Sequence, residues 1–257
     1  MPRRRDLLLL PLMLSPLARA ADVAGWRRTA FEAHSLADTL AALGLGAPQP
    51  SKDVTLQVPE LSEDGSVVPV TLGCALPGVQ RLLLCLEKNP SMLAAVFEPG
   101  PTVEPSFTTR VKVQQSSPVH ALAVLADGRV LSATREVRVT LSGCLSAGDL
   151  ELERPGQPSV IRVQAAGTGA MVRALMKHPM ESGQRKDEAG RAIPAWHIQQ
   201  VRASVNGQPV LTAYWGPSIS RNPFLQFALK GAKSGDRVAL AWADNRGASR
   251  SDEVTFA

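Results

Sequence analysis

Residues 135–167 read "REVRVTLSGCLSAGDLELERPGQPSVIRVQAAG" and divide the chain into two parts. Alternate residues from Val137 to Leu141 are apolar, which is the period of a β-strand with one buried face. A polar segment with glycine and proline follows, and the strand rhythm resumes at Val160. Cys144 stands three residues beyond the end of the first strand. The stretch therefore predicts two β-structured halves, joined by a connector that carries a cysteine.

The whole chain repeats this alternation of short apolar runs and turn residues. Of its 257 residues, 20 are glycine and 20 are proline, and the runs continue from residue 53 to the end. Such spacing predicts an all-β fold, with two immunoglobulin-like antiparallel β-sandwiches in tandem. We expect the sandwiches at roughly 50–141 and 159–257. The predicted boundaries are 1–20 for a signal peptide, 21–141 for the first domain, 142–158 for the connector and 159–257 for the second domain.

A short helical segment is predicted before the first strand, within residues 26–44. Ser35 is an N-cap candidate, and Asp38 stands three residues later in the spacing of a capping box. Gly44 suits the position after a helix end. Three leucines then share one face of the helix: Leu36, Leu40 and Leu43.

The first 20 residues have the composition of a secretory signal peptide. A basic start precedes an apolar run from Leu7 to Leu17, which is shorter than the roughly 20 residues that a membrane span needs. The sequence Arg4-Arg5 followed by "DLL" favours the twin-arginine type, although an ordinary Sec signal is the alternative. Cleavage after Ala20 would leave 24 basic and 22 acidic residues, so the high pI gives no support for nucleic-acid binding.

Two short motifs predict turns, and catalytic motifs are missing from the sequence. Asn206-Gly207 between apolar runs is typical of a β-hairpin, and "GTGAMV" at 167–172 is better explained by a strand turn than by a nucleotide loop. The sequence has no G-x-S-x-G nucleophile motif. The four histidines do not have the spacing of metal ligands, so we expect no metal and no cofactor. They are His34, His120, His178 and His197.

Cys74 and Cys85 lie on either side of the turn signal Pro77-Gly78. In an oxidising compartment, two cysteines on a hairpin can form a disulfide when the register places them opposite each other. Two buried, unbridged core cysteines are the alternative. We expect the hairpin disulfide, with Cys144 as the one thiol left over.

Cys144 is placed differently from the other two cysteines. Ser142 and Gly143 precede it, and Ser146, Ala147 and Gly148 follow after the bulkier Leu145, so the backbone around the thiol is expected to be flexible. The three residues from Leu141 to Cys144 span roughly 10 Å, so the thiol can lie that far from the sheet edge. Exposed cysteines are uncommon unless their reactivity is used. An incidental loop cysteine, or one that joins two copies of the chain, is the alternative.

The sequence resembles two families in order along the chain. The first half is similar to SoxY in "FEAHSLADTLAALG", "DVTLQVPELSEDGSVVPVTL" and "TRVKVQQSSPVHALAVLADGRVLSATREVRVTLSGC". The second half is similar to SoxZ in "RALMKHPMESGQRKDEAGRAIPAWHI" and "VNGQPVLTAYWGPSISRNPFLQFALKGAKSGD". These are the two subunits of the periplasmic carrier of thiosulfate oxidation, and the resemblance covers nearly all of the predicted mature chain.

The resemblance implies a carrier without catalytic activity of its own. Cys144 would hold the sulfur intermediates, and the two halves would pair within one chain. The implied partners are a c-type cytochrome complex that conjugates thiosulfate to the thiol, a hydrolase that releases sulfate and a sulfane dehydrogenase. No membrane or nucleic-acid partner is implied. Export would place the protein in the periplasm with its signal peptide removed.

The cysteine motif departs from the family pattern. SoxY usually ends in a GGCGG arm, whereas here Ser142 replaces the glycine before Gly143, and Leu145-Ser146 follows the cysteine. The connector also continues into the second half, so the thiol is not near a free chain end. The alternative function is a non-carrying SoxYZ-like exported interaction module, associated with a quinoprotein dehydrogenase system.

Overall fold

β-Strands make up most of the described part of the chain, as the alternating pattern predicts. The computed structural model describes residues 26–141, 157–187 and 189–257. The first half contains helices α1 (Trp26–Glu32) and α2 (Leu36–Ala42) and strands β1 (Gln49–Pro50), β2 (Val54–Gln57), β3 (Leu61–Asp64), β4 (Val68–Cys74), β5 (Val79–Leu86), β6 (Leu93–Pro99), β7 (Val103–Val111), β8 (Ser117–Leu125) and β9 (Val130–Leu141). The second half contains β10 (Val160–Ala166), β11 (Gly169–Leu175), β12 (Ile198–Val205), β13 (Gln208–Trp215), β14 (Phe224–Lys230), β15 (Arg237–Asp244) and β16 (Ser249–Thr255).

The predicted helical segment is confirmed, but it forms two short helices. Ser35 caps α2, because its hydroxyl oxygen accepts a hydrogen bond from the backbone N–H of Asp38 at 3.0 Å. Gly44 follows the helix with a φ of 64°, a conformation that glycine adopts without strain.

The strands form two layers that run through both halves. The larger sheet has the order β1-β9-β8-β5-β6-β13-β12-β15-β16, with β3 also paired to β9. The smaller sheet has the order β10-β11-β14-β7-β4-β2. Each half is therefore a two-layered sandwich, as predicted, and the strands at the centre of each sheet join the two sandwiches edge to edge.

The seam between the halves is a pair of strand contacts, one in each sheet. In the larger sheet, β6 pairs with β13 from Ala95 opposite Trp215 to Pro99 opposite Leu211. In the smaller sheet, β7 pairs with β14, and Phe107 lies opposite Phe227 there. The alternating sequence pattern predicts which face of a strand is buried, but it does not predict which strand pairs with its edge. The sequence therefore predicted two sandwiches without predicting that they share their sheets.

Among the described strands, all pairs are antiparallel apart from two that involve β9. Both β1 and β3 run parallel to β9, and they pair with different parts of its outer edge. Residues 49 and 50 cover the start of β9, and residues 61–64 cover its end.

One hydrophobic core lies between the two layers and extends across both halves. Phe97 and Phe107 face each other from opposite sheets, fully buried, with ring centroids 4.5 Å apart. Burial of a side chain of this size contributes roughly 1.5 to 3 kcal/mol relative to leaving it in water. The predicted apolar face of β4 is buried in this core as well, through Val68, Val70, Leu72 and Cys74.

A second, smaller core lies under the two helices, on the outer face of the larger sheet. Leu40 and Leu43 pack there over strand residues that include Leu83, Cys85 and Tyr214. The helix contact also reaches the second half, because a Cβ added at Gly216 would lie 2.8 Å from the Phe31 ring. The helices of the first half therefore pack across the seam.

Both predicted turns are confirmed. Asn206 and Gly207 have φ values of 50° and 80°, and they connect β12 to β13 as a tight hairpin. The segment at residue 167 also forms a hairpin, since Ala166 of β10 pairs with Gly169 of β11. Within the described ranges, no helix has the length and apolar character that would let it cross a membrane.

Candidate functional site

The end of β9 is held firmly on both of its edges. Beyond its last pair with β8, Val139 donates its backbone N–H to the hydroxyl of Ser116 at 3.1 Å. On the outer edge, Arg138 donates its N–H to the backbone oxygen of Glu60 at 2.9 Å. The Thr140 hydroxyl adds contacts of 3.4 and 3.3 Å with the backbone oxygens of Ser62 and Glu63. The strand therefore stays paired up to Leu141.

Cys144 itself lies outside the described residues, as do the other predicted arm residues, Ser142, Gly143 and Gly148. The structure describes the strand up to Leu141, three residues before the cysteine. At about 3.3 Å per residue, the thiol of Cys144 can therefore lie no further than roughly 10 Å plus a side chain from the end of β9.

The other end of the connector is held by a carboxylate. Ser159 donates its backbone N–H to Asp252 Oδ2 at 2.8 Å, and Arg250 binds the same carboxylate with contacts of 2.7 to 2.9 Å. Burial opposes ionisation of this carboxyl, but the hydrogen bonds from Arg250 and Ser159 outweigh it and lower the pKa of Asp252. The second half therefore begins at a fixed point.

The two ends of the connector lie far apart in the molecule. β9 is near one side of the larger sheet, whereas β10 lies against β16 at the opposite side. Seven strand-to-strand steps separate β9 from β16, which at about 4.8 Å each amount to roughly 30 Å. The eighteen steps from Leu141 to Ser159 reach at most roughly 60 Å, so the chain can span this distance with some length to spare.

The predicted disulfide between Cys74 and Cys85 is wrong. Both cysteines are free and buried. Cys74 is on β4 of the smaller sheet and packs in the main core, whereas Cys85 is on β5 of the larger sheet and faces the helices. The chain changes sheets between them instead of forming a hairpin, so the two thiols point into different cores. Burial raises the pKa of the Cys85 thiol to about 12, which removes its nucleophilic character at neutral pH.

The second half contains a buried polar cluster that the sequence did not predict. His178 Nδ1 accepts a hydrogen bond from the backbone N–H of Met180 at 3.1 Å, so the proton of the neutral ring is on Nε2. That nitrogen lies 3.3 Å from Asp244 Oδ2, which also accepts a hydrogen bond from Trp196 Nε1 at 2.7 Å. Burial lowers the pKa of His178, and Asp244 opposes this shift.

This cluster holds the long 176–197 segment onto the last strands. His178, Trp196 and Asp244 are 18 to 66 residues apart in the chain, so no local sequence pattern predicts that they meet. The one local hint of a special role for His178 is that proline follows it directly after a strand, and this pattern also fits an ordinary loop. Within the described ranges, no group of three metal-ligating side chains comes together.

The remaining histidines lie in three separate places. Nδ1 of the exposed His34 lies 2.7 Å from the backbone oxygen of Pro90. His120 lies between Glu87 and Thr134, with contacts of 3.0 and 2.9 Å. Burial lowers the pKa of His197 to about 4.

Buried polar contacts also fix how the two halves meet. Asn89 donates from Nδ2 to Ser218 Oγ at 3.0 Å, and Ser218 Oγ donates to the backbone oxygen of Ser91 at 3.1 Å. The Lys112 ammonium donates to the backbone oxygen of Met180. These bonds connect loops of the first half to loops of the second half, at one end of the seam.

The family comparisons divide the chain at the same connector. The family of the sulfur oxidation protein SoxY matches residues 40–144, and that of the sulphur oxidation protein SoxZ matches residues 161–255. The chain is a fused SoxY–SoxZ protein. The SoxY match ends on Cys144, and the SoxZ match begins on β10.

Two solved structures are similar to parts of this chain. The sulfur carrier protein SoxY from Chlorobium limicola f thiosulfatophilum is 28% identical, with a TM-score of 0.37, over 41% of this chain and 96% of its own. A superoxide reductase (neelaredoxin) from Ignicoccus hospitalis is 19% identical, with a TM-score of 0.28, over 34% of this chain and 79% of its own. No curated protein matches the chain.

Proposed function

We propose that the fused SoxY–SoxZ chain is a periplasmic carrier that holds thiosulfate-derived sulfur covalently on Cys144. The observation that carries this proposal is the placement of the cysteine. The SoxY family match ends on Cys144, three residues beyond a strand end that is held on both edges. The other two cysteines are buried in separate cores.

The proposed loading reaction joins the Cys144 thiolate to the outer sulfur of thiosulfate. A sulfur–sulfur bond forms, the product is a cysteine S-thiosulfonate, and two electrons leave. A c-type cytochrome complex is the partner that accepts these electrons. A hydrolase then adds water across the bond between sulfur and sulfonate, which releases sulfate and two protons and leaves a persulfide on Cys144. A sulfane dehydrogenase is the partner for the remaining sulfur.

Burial explains why only one thiol would take part. The side chain of Cys85 is fully buried and its pKa is raised to about 12, so it is neither accessible nor ionised at neutral pH. Cys74 is 6% exposed and packs among valines and leucines. A single reactive thiol prevents intermediates from moving between cysteines of one chain.

The fold supplies a rigid base for a short arm. The backbone and side-chain bonds around Arg138, Val139 and Thr140 hold the strand until Leu141. A partner that receives Cys144 must therefore approach the carrier body to within roughly 10 Å plus a side chain of the end of β9. The same limit applies to every enzyme that receives the thiol in turn.

The fusion changes the geometry of the arm. A flexible chain of 18 residues has an average end-to-end distance of roughly 20 to 25 Å, which is less than the roughly 30 Å between its anchors. Joining Leu141 to Ser159 therefore requires more extension than such a chain has on average. The three residues before Cys144 nevertheless set its reach, because the fifteen after it are much longer than that distance requires.

Substitution of Cys144 tests the proposal directly. The Cys144→Ala chain should fold normally and fail to support thiosulfate-dependent reduction of the cytochrome partner. The matched control is Ser142→Ala, a substitution of similar size on the same arm, which should retain activity. Full activity of purified Cys144→Ala would show instead that the chain is a non-carrying interaction module.

A further inference from the structure

Two exposed apolar side chains lie beside the end of β9. In the part of the chain that the structure describes, three large hydrophobic side chains are exposed: Leu61 at 57%, Val160 at 47% and Val67 at 43%. Leu61 and Val67 belong to one short segment, residues 60–67, which we call the root patch. The patch also carries the exposed carboxylates Glu60, Glu63 and Asp64.

The root patch is a built turn rather than a loose loop. The Asp64 carboxylate accepts hydrogen bonds from the backbone N–H and the hydroxyl of Ser66 at 2.7 and 2.8 Å. The Ser62 hydroxyl donates to the backbone oxygen of Asp64, and Val113 donates its N–H to the backbone oxygen of Gly65 at 2.7 Å. These bonds fix the backbone between Leu61 and Val67, so both side chains are held outside the core.

The patch lies at the end of the fold where the chain leaves for Cys144. β3 and β9 run parallel, with Leu61 opposite Arg138 and Asp64 opposite Leu141. Leu61 is therefore roughly 10 Å from Leu141 along the strand, and the turn that follows Asp64 lies closer. A folded partner that takes Cys144 into a channel must approach within roughly 10 Å of Leu141, so its surface covers this turn.

We propose that the root patch is the docking surface for the enzyme that loads Cys144. An apolar centre with a charged border is the usual composition of a transient protein interface. Three exposed carboxylates share this segment with Leu61 and Val67, and Arg138, which lies opposite Leu61 on β9, adds one guanidinium. The fitting partner is therefore a redox protein whose channel entrance has an apolar rim bordered by basic side chains.

This inference rests on the proposed role of Cys144 and deepens it. Leu61→Asp and Val67→Asp remove the apolar contacts while the arm stays intact. The matched control is Val160→Asp, which changes an equally exposed valine at the opposite side of the molecule. Each variant is loaded with thiosulfate by the c-type cytochrome complex, and a small maleimide measures the accessibility of Cys144.

We expect Leu61→Asp and Val67→Asp to lower kcat/KM for loading by about tenfold each, as for a central interface residue. Maleimide labelling and thermal stability should be unchanged, and Val160→Asp should load as the parent chain does. Glu63→Lys should lower the rate and weaken its dependence on salt.

Three results would overturn the inference. Normal loading of both root-patch variants would mean that the partner docks elsewhere. Faster maleimide labelling or lower thermal stability would mean that the connector of the same chain covers the patch. An equal loss of kcat/KM in Val160→Asp would mean that an added negative charge slows loading wherever it is placed on the surface. If Cys144→Ala still loads, the carrier function itself fails, which is a separate outcome.

Discussion

Asn89 of the SoxY half donates a hydrogen bond of 3.0 Å to Ser218 Oγ of the SoxZ half, and both residues are buried. The same amide donates to the backbone oxygen of Lys112 at 2.7 Å and accepts from the backbone N–H of Gln114 at 3.1 Å. One side chain thus satisfies buried polar groups on both sides of the seam. The pairing of the halves depends on specific polar contacts in addition to apolar area.

Asn89→Ala should destabilise the fused chain by about 2 to 3 kcal/mol, because three hydrogen bonds are lost and their buried partners remain. Urea unfolding of the purified protein measures the change. Gln115→Ala is the control, since Gln115 is an exposed amide on the neighbouring loop. Equal stability of Asn89→Ala and the control would show that the seam does not need this contact.

Gly216→Ala should also weaken the seam. A Cβ at this position would lie 2.8 Å from Phe31 Cδ1 and 2.9 Å from the backbone oxygen of Leu93, and the backbone cannot move away easily. We expect a loss of about 1 to 3 kcal/mol, typical of an overpacked site, together with faster proteolysis of α1. Gly46→Ala is the control, because a Cβ there has no neighbour within 4 Å. A Gly216→Ala chain as stable as that control would contradict the contact between α1 and the SoxZ half.

The partly buried imidazole of His197 predicts that the protein loses stability in acid. Its pKa is lowered from 6.5 to about 4, chiefly by burial, so the folded state disfavours its protonation. The contribution to stability is complete above about pH 6.5 and is lost as the pH falls toward 4, by about 2 to 3 kcal/mol. His197→Gln should flatten this part of the stability curve, measured by urea unfolding between pH 4 and 7. His34→Gln, which removes an exposed imidazole, is the control, and an unchanged slope in His197→Gln would contradict the prediction.

Thiol counts distinguish the buried cysteines from the arm. With a chromogenic disulfide reagent at neutral pH, we expect one reactive thiol in the native chain and three in denaturant, because Cys74 and Cys85 are free but buried. Buried cysteines react only when the fold opens. A count of one thiol in denaturant would show that Cys74 and Cys85 form a disulfide after all. A count of three thiols in the native chain would show that neither core protects its cysteine.

Local sequence signals predicted the elements of this fold well. The Ser35 cap, the Asn206-Gly207 hairpin and the buried face from Val68 to Cys74 all depend on residues close in the chain. Those signals depend on backbone sterics and on the period of a strand, both of which can be read within a few residues.

Contacts between distant residues were not predictable in the same way. The sequence did not reveal that β6 pairs with β13, because strand edges have no side-chain pattern of their own. The His178 and Asp244 pair was missed because 66 residues separate its members. The disulfide between Cys74 and Cys85 was predicted from the assumption of a hairpin, but the chain crosses from one sheet to the other after Cys74. Residues 142–156, with the predicted arm, lie outside the described residues.

The proposed function requires Cys144 to carry sulfur. The most direct measurement is mass spectrometry of the native chain after incubation with thiosulfate and the oxidised c-type cytochrome complex. We expect a thiosulfonate adduct on the peptide that contains Cys144, formed only with both reagents, and none on Cys74 or Cys85. An unmodified Cys144 under conditions that reduce the cytochrome, or an adduct on another cysteine, would contradict it.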